Sequence, residues 1–470
     1  MFGLDTGLTL LLIMCLLAAC TFEFINGFHD TANAVATVIY TNSLKPRIAV
    51  IWSGIWNFIG VYFGGIAVAM GIVNLLPVEA LVDSNMSHGI AMIMSLICTA
   101  IIWNLTNWRF GIPISSSHSL IGSIFGVGLA YRFLPGSTTF ALNWHKVEDI
   151  GLSLLISPVL GFFLAFLILK LLQRTIKSKK LFRTPPAGKA PPIWIRSIMV
   201  VACTGISFSH GSNDGQKGVG LVMMILIGIV PGYFALDTSK DPVVMNTHIV
   251  SVNKTIQRLD TTKLDLSQIQ QLHVIHGKAD TIESIAGKVT SFDQIPEKDH
   301  FVIRKDILML SKNLEVFLKS LDVSNNGITD NDISSLKQEV ASLKTNTEYA
   351  PWWVILMISI SLGMGTMIGW KRIVVTVGEK IGKTHLNYAQ GATSQIIAAS
   401  TISASSLLGL PVSTTHVLNS GIAGSMVAGK GLKNLQMNTI KSIAISWVVT
   451  LPVTTTLSGS IFLLLRWLIA

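Results

Sequence analysis

Charged residues are scarce in this chain, and their scarcity excludes most soluble proteins. Only 13% of the 470 residues are charged and 50% are hydrophobic, whereas soluble domains carry about 25% charged residues. Apolar runs of about 20 residues recur along the chain, and each is long enough to cross a bilayer. The composition therefore predicts an all-α integral membrane protein that contacts the lipid bilayer along several helices.

Cysteines and common catalytic motifs are also few. The four cysteines all lie in apolar stretches, which excludes a disulfide framework or a CxxC metal site. HExxH and GxSxG motifs are missing, so the sequence predicts neither an enzyme nor a resident cofactor. The first apolar segment, LTLLLIMCLLAAC, lacks the basic flank and cleavage site of a signal peptide, and we expect it to remain as a helix.

The charges are divided unevenly along the chain. Residues 237–349 hold 13 basic and 16 acidic residues, which leaves a net charge of +13 on the remainder. That excess lies in short loops between apolar runs, where it indicates membrane orientation and not a nucleic-acid partner. Apolar residues at three- and four-residue steps predict that 237–349 is a soluble, mostly helical insert. It could be a cap or dimer-contact module, or a substrate-binding or regulatory domain.

One polar phrase occurs twice in the chain. Residues 111–126 read GIPISSSHSLIGSIFG and residues 409–424 read GLPVSTTHVLNSGIAG, with seven of sixteen positions identical. A second pair of similar segments reads FINGFHDTANAV at 24–35 and FSHGSNDGQKGV at 208–219. Each of these segments has an Asp three residues after a Gly. All four segments interrupt apolar stretches. Such breaks at corresponding positions of two halves point to the binding site of a transporter.

Lysine and arginine in the short loops give the predicted orientation. The loops assigned to the cytoplasm hold 17 of these residues and the alternate loops hold 2, as the positive-inside rule requires. This pattern predicts about ten transmembrane helices, five in each half, with an outside amino terminus and breaks at 26–33 and 210–217. Because each half has an odd number of spans, the second half crosses the membrane in the opposite orientation to the first. The half-helix termini of both copies would then meet at the midplane of the membrane. The predicted divisions are a transmembrane repeat at 1–172, a basic cytoplasmic linker at 173–193, a second transmembrane repeat at 194–236 and 350–470, and a periplasmic insert at 237–349.

Two aspartates occupy matching positions of the two copies. An Asp at the centre of a membrane helix costs about 2.5–3.5 kcal/mol on insertion scales, so Asp30 and Asp214 are expected to be functional. We interpret them as ligands of a coupling ion or metal, or as proton carriers. Asn33 and Asn213 would add neutral oxygen ligands. The alternative is that each Asp only caps a broken helix by accepting backbone N–H bonds.

The proline-containing motif is typical of a loop that enters a helix. Pro113 and Pro411 favour helix starts, and together with Gly27 and Gly211 they are the predicted hinges. A helix amino terminus has unpaired N–H donors and roughly half a positive charge, so it can bind a tetrahedral oxyanion without Arg. The alternative is that the hydroxyls of the motif only cap half-helices. The hydroxyl residues predicted to bind the anion are Ser115, Ser116, Ser117, Ser413, Thr414 and Thr415.

Four histidines lie in the duplicated segments. His118 and His416 share one repeat position, while His29 and His210 lie beside the Asp motifs. A His on an apolar face usually only packs. Paired beside anion donors, these residues could instead relay protons or orient the substrate.

Two charged residues have no counterpart in the other copy. Lys217 stands where the first copy has Asn33, and Glu23 stands where the second copy has Ser207. Lys217 could pair with Asp214 or with a bound anion, or it could snorkel from a half-helix end. Both charged residues are candidates for an electrostatic role in the site.

These phrases resemble the inorganic phosphate transporter family called PiT, and specifically its bacterial low-affinity branch. The similarity rests on NGFHDTANAVATVIYT, SHGSNDGQKGVGLVM, GIPISSSHSLIG, GWKRIVVTVGEKIG and GLPVSTTHVL, and it covers both halves apart from the linker and the insert. The first motif of the family matches Gly27, Asp30 and Asn33 in one copy and Gly211, Asn213 and Asp214 in the other. The second motif matches residues 113–118 and 411–416.

The resemblance implies an inverted-repeat symporter in the bacterial cytoplasmic membrane. Such a protein imports phosphate as a complex with a divalent metal, Mg²⁺ or similar, driven by protons, and it forms homodimers. The chain departs from the commoner pattern at Phe28–His29 and at Gly215–Gln216–Lys217, and it has Asn57 where sodium-coupled relatives carry a glutamate. Fewer oxygen ligands and an added Lys agree with proton coupling.

Three alternatives stay open on the sequence. The same architecture could move sulfate or another tetrahedral oxyanion, although sulfate cannot donate a hydrogen bond to Asp30 or Asp214 at neutral pH. It could be a sodium-coupled phosphate symporter. A passive anion channel would instead show flux that follows the gradient, without dependence on pH or metal.

Overall fold

The computed structural model describes residues 2–76, 86–133, 144–186, 188–321 and 329–469. Across these ranges the chain is helical, and its one β feature is an isolated bridge between Gly382 and Leu435. The chain forms two compact units. One consists of Met1–Asp5 and Leu226–Tyr349, and the other of Thr6–Ile225 and Ala350–Ala470.

Seventeen helices longer than one turn are described, and we number them along the chain. They are α1 Thr6–Tyr40, α2 Pro46–Phe63, α3 Ala67–Val73, α4 Met86–Phe110, α5 Ser116–Arg132, α6 Trp144–Thr175, α7 Ile193–His210, α8 Gln216–Ile229, α9 Pro242–Ile256, α10 Leu266–Ala286, α11 Glu297–Ser320, α12 Asp330–Lys344, α13 Trp352–Thr366, α14 Lys371–Glu379, α15 Tyr388–Leu407, α16 Thr414–Lys430 and α17 Met437–Ile469.

Several helices are suited to a bilayer, as the composition predicts. Five stretches are long and apolar enough to cross it, and the bent pair α2 and α3, which meet at 71°, would make a sixth. The helices α5 and α16 have 17 residues each, and α13 has 15. The number of ten spans stays a prediction, and the predicted outer loops at 72–88 and 132–149 lie largely outside the described residues. The five long stretches are Thr6–Tyr40, Gly89–Phe110, Lys146–Thr175, Ile193–Ile229 and Met437–Leu468.

The break predicted at 26–33 is wrong. Helix α1 continues without interruption from Thr6 to Tyr40, because its polar side chains find partners without unwinding it. Thr31 Oγ1 donates to the carbonyl of Gly27 one turn earlier at 2.6 Å, and Asp30 and Asn33 bond to side chains of another helix. The break predicted at 210–217 exists in a milder form. A π-helical turn, Gly211–Gly215, joins α7 to α8, and such turns are frequent at functional sites.

The duplicated proline motif forms the same loop twice. Helices α4 and α15 are followed by Gly111 and Gly409, both in the left-handed region with φ of 68°. In both loops the backbone N–H of the residue after this glycine bonds back to the last turn of the helix, from Ile112 to Asn107 at 3.0 Å and from Leu410 to Ser405 at 2.9 Å. Glycine is the residue that adopts this conformation at little cost. The structure therefore confirms a loop that enters a helix in both copies.

The helices that follow these loops are covered by the other half of the chain. Helix α5 packs along α17, and α16 packs along α6. Both crossings are close, because a Cβ on Gly126 would overlap the carbonyl of Thr455, and one on Gly424 would overlap the carbonyl of Phe162. Gly126 and Gly424 are the last residues of the two copies of the phrase, so the duplication also sets the helix packing.

The unit at Leu226–Tyr349 contains four helices, α9 to α12, around its own apolar core. Each helix packs against two others of the four, and α10 begins with a capping box made by Asp265 and Gln268. Arg304 is fully buried there and donates from Nη1 to the carbonyls of Ala235 (3.1 Å) and Thr347 (2.5 Å). Burial lowers the pKa of Arg304 to about 10. This arginine joins the two ends of the unit.

The packing of α5 on α17 gives a stability prediction. Replacing Gly126 with Ala should destabilise the protein by about 1–3 kcal/mol, the usual cost of overpacking, because the new methyl would overlap the backbone of α17. The measurement is the midpoint of thermal unfolding in detergent, followed by tryptophan fluorescence. Gly151→Ala in α6 is the matched control, since a Cβ there meets no atom within 4 Å. Equal midpoints for the two variants would contradict the close crossing.

Candidate functional site

Asp30 accepts hydrogen bonds from hydroxyl groups of both copies of the phrase. Its Oδ1 accepts from Thr415 Oγ1 at 2.8 Å and faces His29 Nδ1 at 3.0 Å. Its Oδ2 accepts from Ser116 Oγ at 3.4 Å. Thr415 belongs to the second copy and Ser116 to the first. The carboxylate of α1 is therefore the point at which the amino termini of α5 and α16 meet.

Asp214 forms an ion pair with Lys217, one turn further along the chain. Its other oxygen, Oδ2, accepts from Thr414 Oγ1 at 2.9 Å. The ammonium group of Lys217 donates to Asp214 Oδ1 and Ser117 Oγ, and to the carbonyl of Val412 at 2.9 Å. Lys217 therefore uses all three of its donors, and it joins an aspartate of the second copy to a serine of the first.

Two of the six predicted hydroxyl residues act as helix caps. Ser115 accepts from the backbone N–H of His118, and Ser413 accepts from that of His416, both at 3.1 Å. Ser115 Oγ also lies 2.9 Å from His118 Nδ1. The capping alternative therefore holds for this pair. The four hydroxyl residues that follow the caps contact the carboxylates or Lys217.

The asparagines have different partners. Asn33 Nδ2 donates to Thr415 Oγ1 at 2.9 Å, beside Asp30. Asn213 bonds to the second proline loop and, in the described hydrogen bonds, to neither carboxylate: its Nδ2 donates to the carbonyl of Leu410 at 3.2 Å, and its Oδ1 accepts from the backbone N–H of Val412 at 3.2 Å. In the described contacts Asn213 thus holds the second proline loop in position.

His210 lies between the two aspartates. Its Nε2 is 3.1 Å from Asp214 Oδ2 and 3.7 Å from Asp30 Oδ2, and its Nδ1 is 2.8 Å from Asn57 Oδ1. The contacts of Nε2 are ion-pair distances without the alignment of a hydrogen bond. Asn57 was not among the predicted site residues, although a polar residue in an apolar span is a signal for one.

His118 and His416 are the third residues of their helices and contact each other. Their ring centroids are 4.5 Å apart, and His416 also stacks on Trp447 with centroids 3.8 Å apart. Among the described residues, His416 Nε2 has no hydrogen-bond partner. The proton-relay and orienting roles of these two histidines stay predictions.

Glu23 and the predicted hinge residues lie around this cluster. Glu23 accepts from Asn26 Nδ2 at 3.2 Å, two helical turns before Asp30. Gly27 and Gly211 lie against the backbones of α13 and α2, where a Cβ would overlap Leu362 and Asn57 respectively. They allow close helix packing here, and their role as hinges, with Pro113 and Pro411, stays a prediction.

The cluster combines anion donors with cation ligands and is closed to solvent. Every predicted side chain described in this subsection has a relative exposure of 6% or less. Hydroxyl, ammonium and helix amino-terminal groups suit an oxyanion. Asp30, His210 and Asp214 each offer a ligand atom, and these atoms lie within 4.8 Å of one another. An anion and a metal ion could therefore be bound side by side.

The chain is similar to known phosphate transporters along most of its length. The model of the phosphate transporter family matches residues 26–458. The chain is 39% identical to the low-affinity inorganic phosphate transporter PitB of Escherichia coli (strain K12), over 98% of this chain and 97% of that protein. It is 27% identical to a probable low-affinity inorganic phosphate transporter of Bacillus subtilis (strain 168), over 98% of this chain and 97% of that one.

A solved structure shares the fold. A sodium-dependent phosphate transporter aligns over 97% of this chain and 99% of its own length, with a TM-score of 0.53 and 22% identity. The family model spans both copies of the duplicated phrase and all the aspartate and hydroxyl residues of the site. This chain therefore belongs to the phosphate transporter family.

Proposed function

We propose that this protein is a secondary active symporter that imports inorganic phosphate across the bacterial cytoplasmic membrane. It carries phosphate as a complex with a divalent metal such as Mg²⁺ and is coupled to protons. One observation supports this proposal most: Ser116 and Thr415, one from each copy of the phrase, both donate hydrogen bonds to the carboxylate of Asp30. Membership of the family supports phosphate as the cargo.

Phosphate binds between the two helix starts. The caps Ser115 and Ser413 hold the first turns of α5 and α16 in place, which leaves the following hydroxyl groups free to donate to phosphate oxygens. Lys217 adds a charge-assisted donor beside them. When the anion arrives, these hydroxyl groups turn from the carboxylates to the phosphate. The residues that bind it are Ser116, Ser117, Thr414 and Thr415.

The divalent cation travels with the anion and is not a resident cofactor. Asp30, His210 and Asp214 offer a compact set of ligand atoms, and Mg²⁺ is usually held by one or two carboxylates together with phosphate oxygens. A dianion neutralised by a divalent metal loses most of the electrostatic penalty of crossing the membrane. When the carboxylates bind the metal, the hydroxyl groups that they release donate hydrogen bonds to the phosphate of the same complex.

Protons are preferred over sodium as the coupling ion for two reasons. The amide oxygen of Asn57 faces His210 at 2.8 Å, so it has a partner other than a cation. Lys217 occupies one oxygen of Asp214, and a sodium ion that does not arrive with phosphate lacks the phosphate oxygens that complete the shell of the divalent metal. Both contacts reduce the number of oxygen ligands in the cluster.

The two halves form inverted repeats of five spans each, and the protein works as a homodimer. Each half packs one helix against the last helix of the other half: α5 packs on α17, and α16 packs on α6. A two-fold relation between the halves would produce this arrangement. The distribution of basic loops supports opposite orientations of the two halves. Alternating access then exposes one central site to each side of the membrane in turn.

Purified protein in liposomes tests the proposed function. With labelled phosphate, an imposed proton gradient and external Mg²⁺, we expect accumulation against the phosphate gradient. Chelating divalent cations should reduce uptake at least about tenfold, because the neutral complex is no longer formed. Imposing a sodium gradient alone should produce no accumulation.

Competition and gradient controls separate the alternatives. An equal concentration of sulfate should not reduce phosphate uptake, whereas strong competition would favour a general oxyanion carrier. Uptake that follows only the phosphate gradient would indicate a passive channel. Accumulation driven by sodium and unaffected by the proton gradient would contradict the proposed coupling.

Asp30→Asn should abolish phosphate uptake while the protein still inserts and folds. The amide keeps the shape of the side chain but removes the charge that the metal requires. In the described ion pairs Asp30 faces histidines and no lysine or arginine, so the substitution strands no permanently charged group. Uptake in liposomes and the gel-filtration profile in detergent are the measurements. Glu148→Gln is the matched control, because Glu148 is exposed. Uptake by Asp30→Asn at the wild-type rate would refute the role of this carboxylate.

Asp214→Asn should lose both uptake and stability. It leaves the ammonium group of Lys217 buried without its anion, which costs about 3–5 kcal/mol in buried ion pairs. Adding Lys217→Asn removes the stranded charge and introduces the residue found at the same position in the first copy. Thermal unfolding should therefore recover in the double variant, while uptake stays absent. An Asp214→Asn protein that melts like the wild type would contradict the ion pair.

A further inference from the structure

Glu23 is a buried carboxyl group that has too few hydrogen-bond donors around it. It is 0% exposed on α1, and its Oε2 accepts from Asn26 Nδ2 at 3.2 Å. Among the residues that the structure describes, neither Glu23 Oε1 nor Asn26 Oδ1 has a partner. Buried polar atoms are rarely left in this state, because each unpaired one has lost its hydrogen bond to water without replacing it.

One proton would satisfy both of these atoms. Protonation turns Glu23 Oε1 from an acceptor into an O–H donor, and Asn26 Oδ1 is the acceptor on the side chain already bonded to it. A carboxylic acid and a primary amide can exchange two hydrogen bonds, one in each direction. The neutral acid also avoids an uncompensated buried charge. The pair Glu23–Asn26 therefore fits the protonated form.

Glu23 lies close to the binding cluster without being part of it. It precedes Asp30 by seven residues, which places both on one face of α1 at a separation of about 10 Å along the axis. It packs against α8, where a Cβ on Gly218 would lie 2.6 Å from Glu23 Oε1. Gly218 directly follows Lys217. Glu23 therefore contacts α8 at the residue next to Lys217, the other charged residue without a repeat counterpart.

The surrounding charges leave Glu23 without a counter-ion in this conformation. The titratable groups that act on it from the helices packed against α1 are His210, Asp214 and Lys217, and Cys20 lies on its own helix. Lys217 is bound by Asp214. In the described ion pairs no cation is joined to Glu23.

We propose that Glu23 binds the proton that drives transport, an inference that rests on the proton coupling proposed above. A proton from the outer solution adds to Oε1, and the O–H bond breaks again when the proton leaves on the inner side, so no other reactant is needed. While Glu23 is protonated, Lys217 stays with Asp214. Once Glu23 is ionised, it attracts Lys217 away from Asp214 and Ser117, which changes the charge of the binding cluster.

Glu23→Gln tests this proposal in liposomes. The amide mimics the neutral acid permanently, and its N–H can donate to Asn26 Oδ1. We expect exchange of labelled for unlabelled phosphate across the membrane to continue, because it needs no net proton movement. Accumulation driven by a gradient of about one pH unit should fall roughly tenfold, the factor that one coupled proton supplies. Asp30→Asn, the same chemical change two turns away, should lose exchange as well.

The outcomes separate this inference from the proposed function. If phosphate accumulation by the wild-type protein does not depend on the proton gradient, both the proposed function and this inference are overturned. Normal pH-driven accumulation by Glu23→Gln overturns this inference alone, and so does loss of exchange in a folded variant. If Glu23→Gln does not fold, Glu23→Asp decides: the pH of half-maximal accumulation should shift while exchange keeps its rate, and an unchanged pH profile overturns the assignment.

Discussion

The structure depends on the pairing of charges that lie deep among apolar helices. Asp30, Asp214 and Lys217 are each no more than 2% exposed, and isolated charges at such depth would be too costly to keep. Asp214 and Lys217 neutralise each other, and hydroxyl groups from the opposite half complete the hydrogen bonds of Asp30 and Lys217. Thr415 reaches Asp30 of the first half, and Ser117 of the first half accepts from Lys217 of the second. The halves are thus held together by the same contacts that form the site.

Caps and close crossings give this cluster its fixed geometry. Ser115 and Ser413 satisfy the backbone N–H groups of His118 and His416, so the next two hydroxyl residues of each helix are available for other partners. Each helix is packed along the last helix of the opposite half at a glycine. Because the first turn of a helix is set by its cap and its axis by its neighbour, the hydroxyl groups have little freedom to move apart.

Two departures from symmetry make the two sides of the duplicated site different. A site built from equal halves would hold equal charges on both sides. Here Lys217 neutralises Asp214, while Asp30 has histidines and hydroxyl groups around it. Glu23 adds a carboxyl group on the first half alone. The two sides of the cluster therefore carry different charges, although the segments that form them are duplicated.

The sequence by itself determined the membrane character, the duplication, the loop-to-helix motif and the residues that meet in the site. These properties follow from local patterns: apolar runs, basic loops, glycine and proline at fixed offsets, and polar residues where lipid disfavours them. Only the tertiary structure decided that α1 continues through Asp30, that Asn213 holds a loop, and that Asn57 and Asn26 pair with site residues. These outcomes depend on which side chains of distant helices supply hydrogen-bond partners. A pattern read along one chain segment does not contain that information.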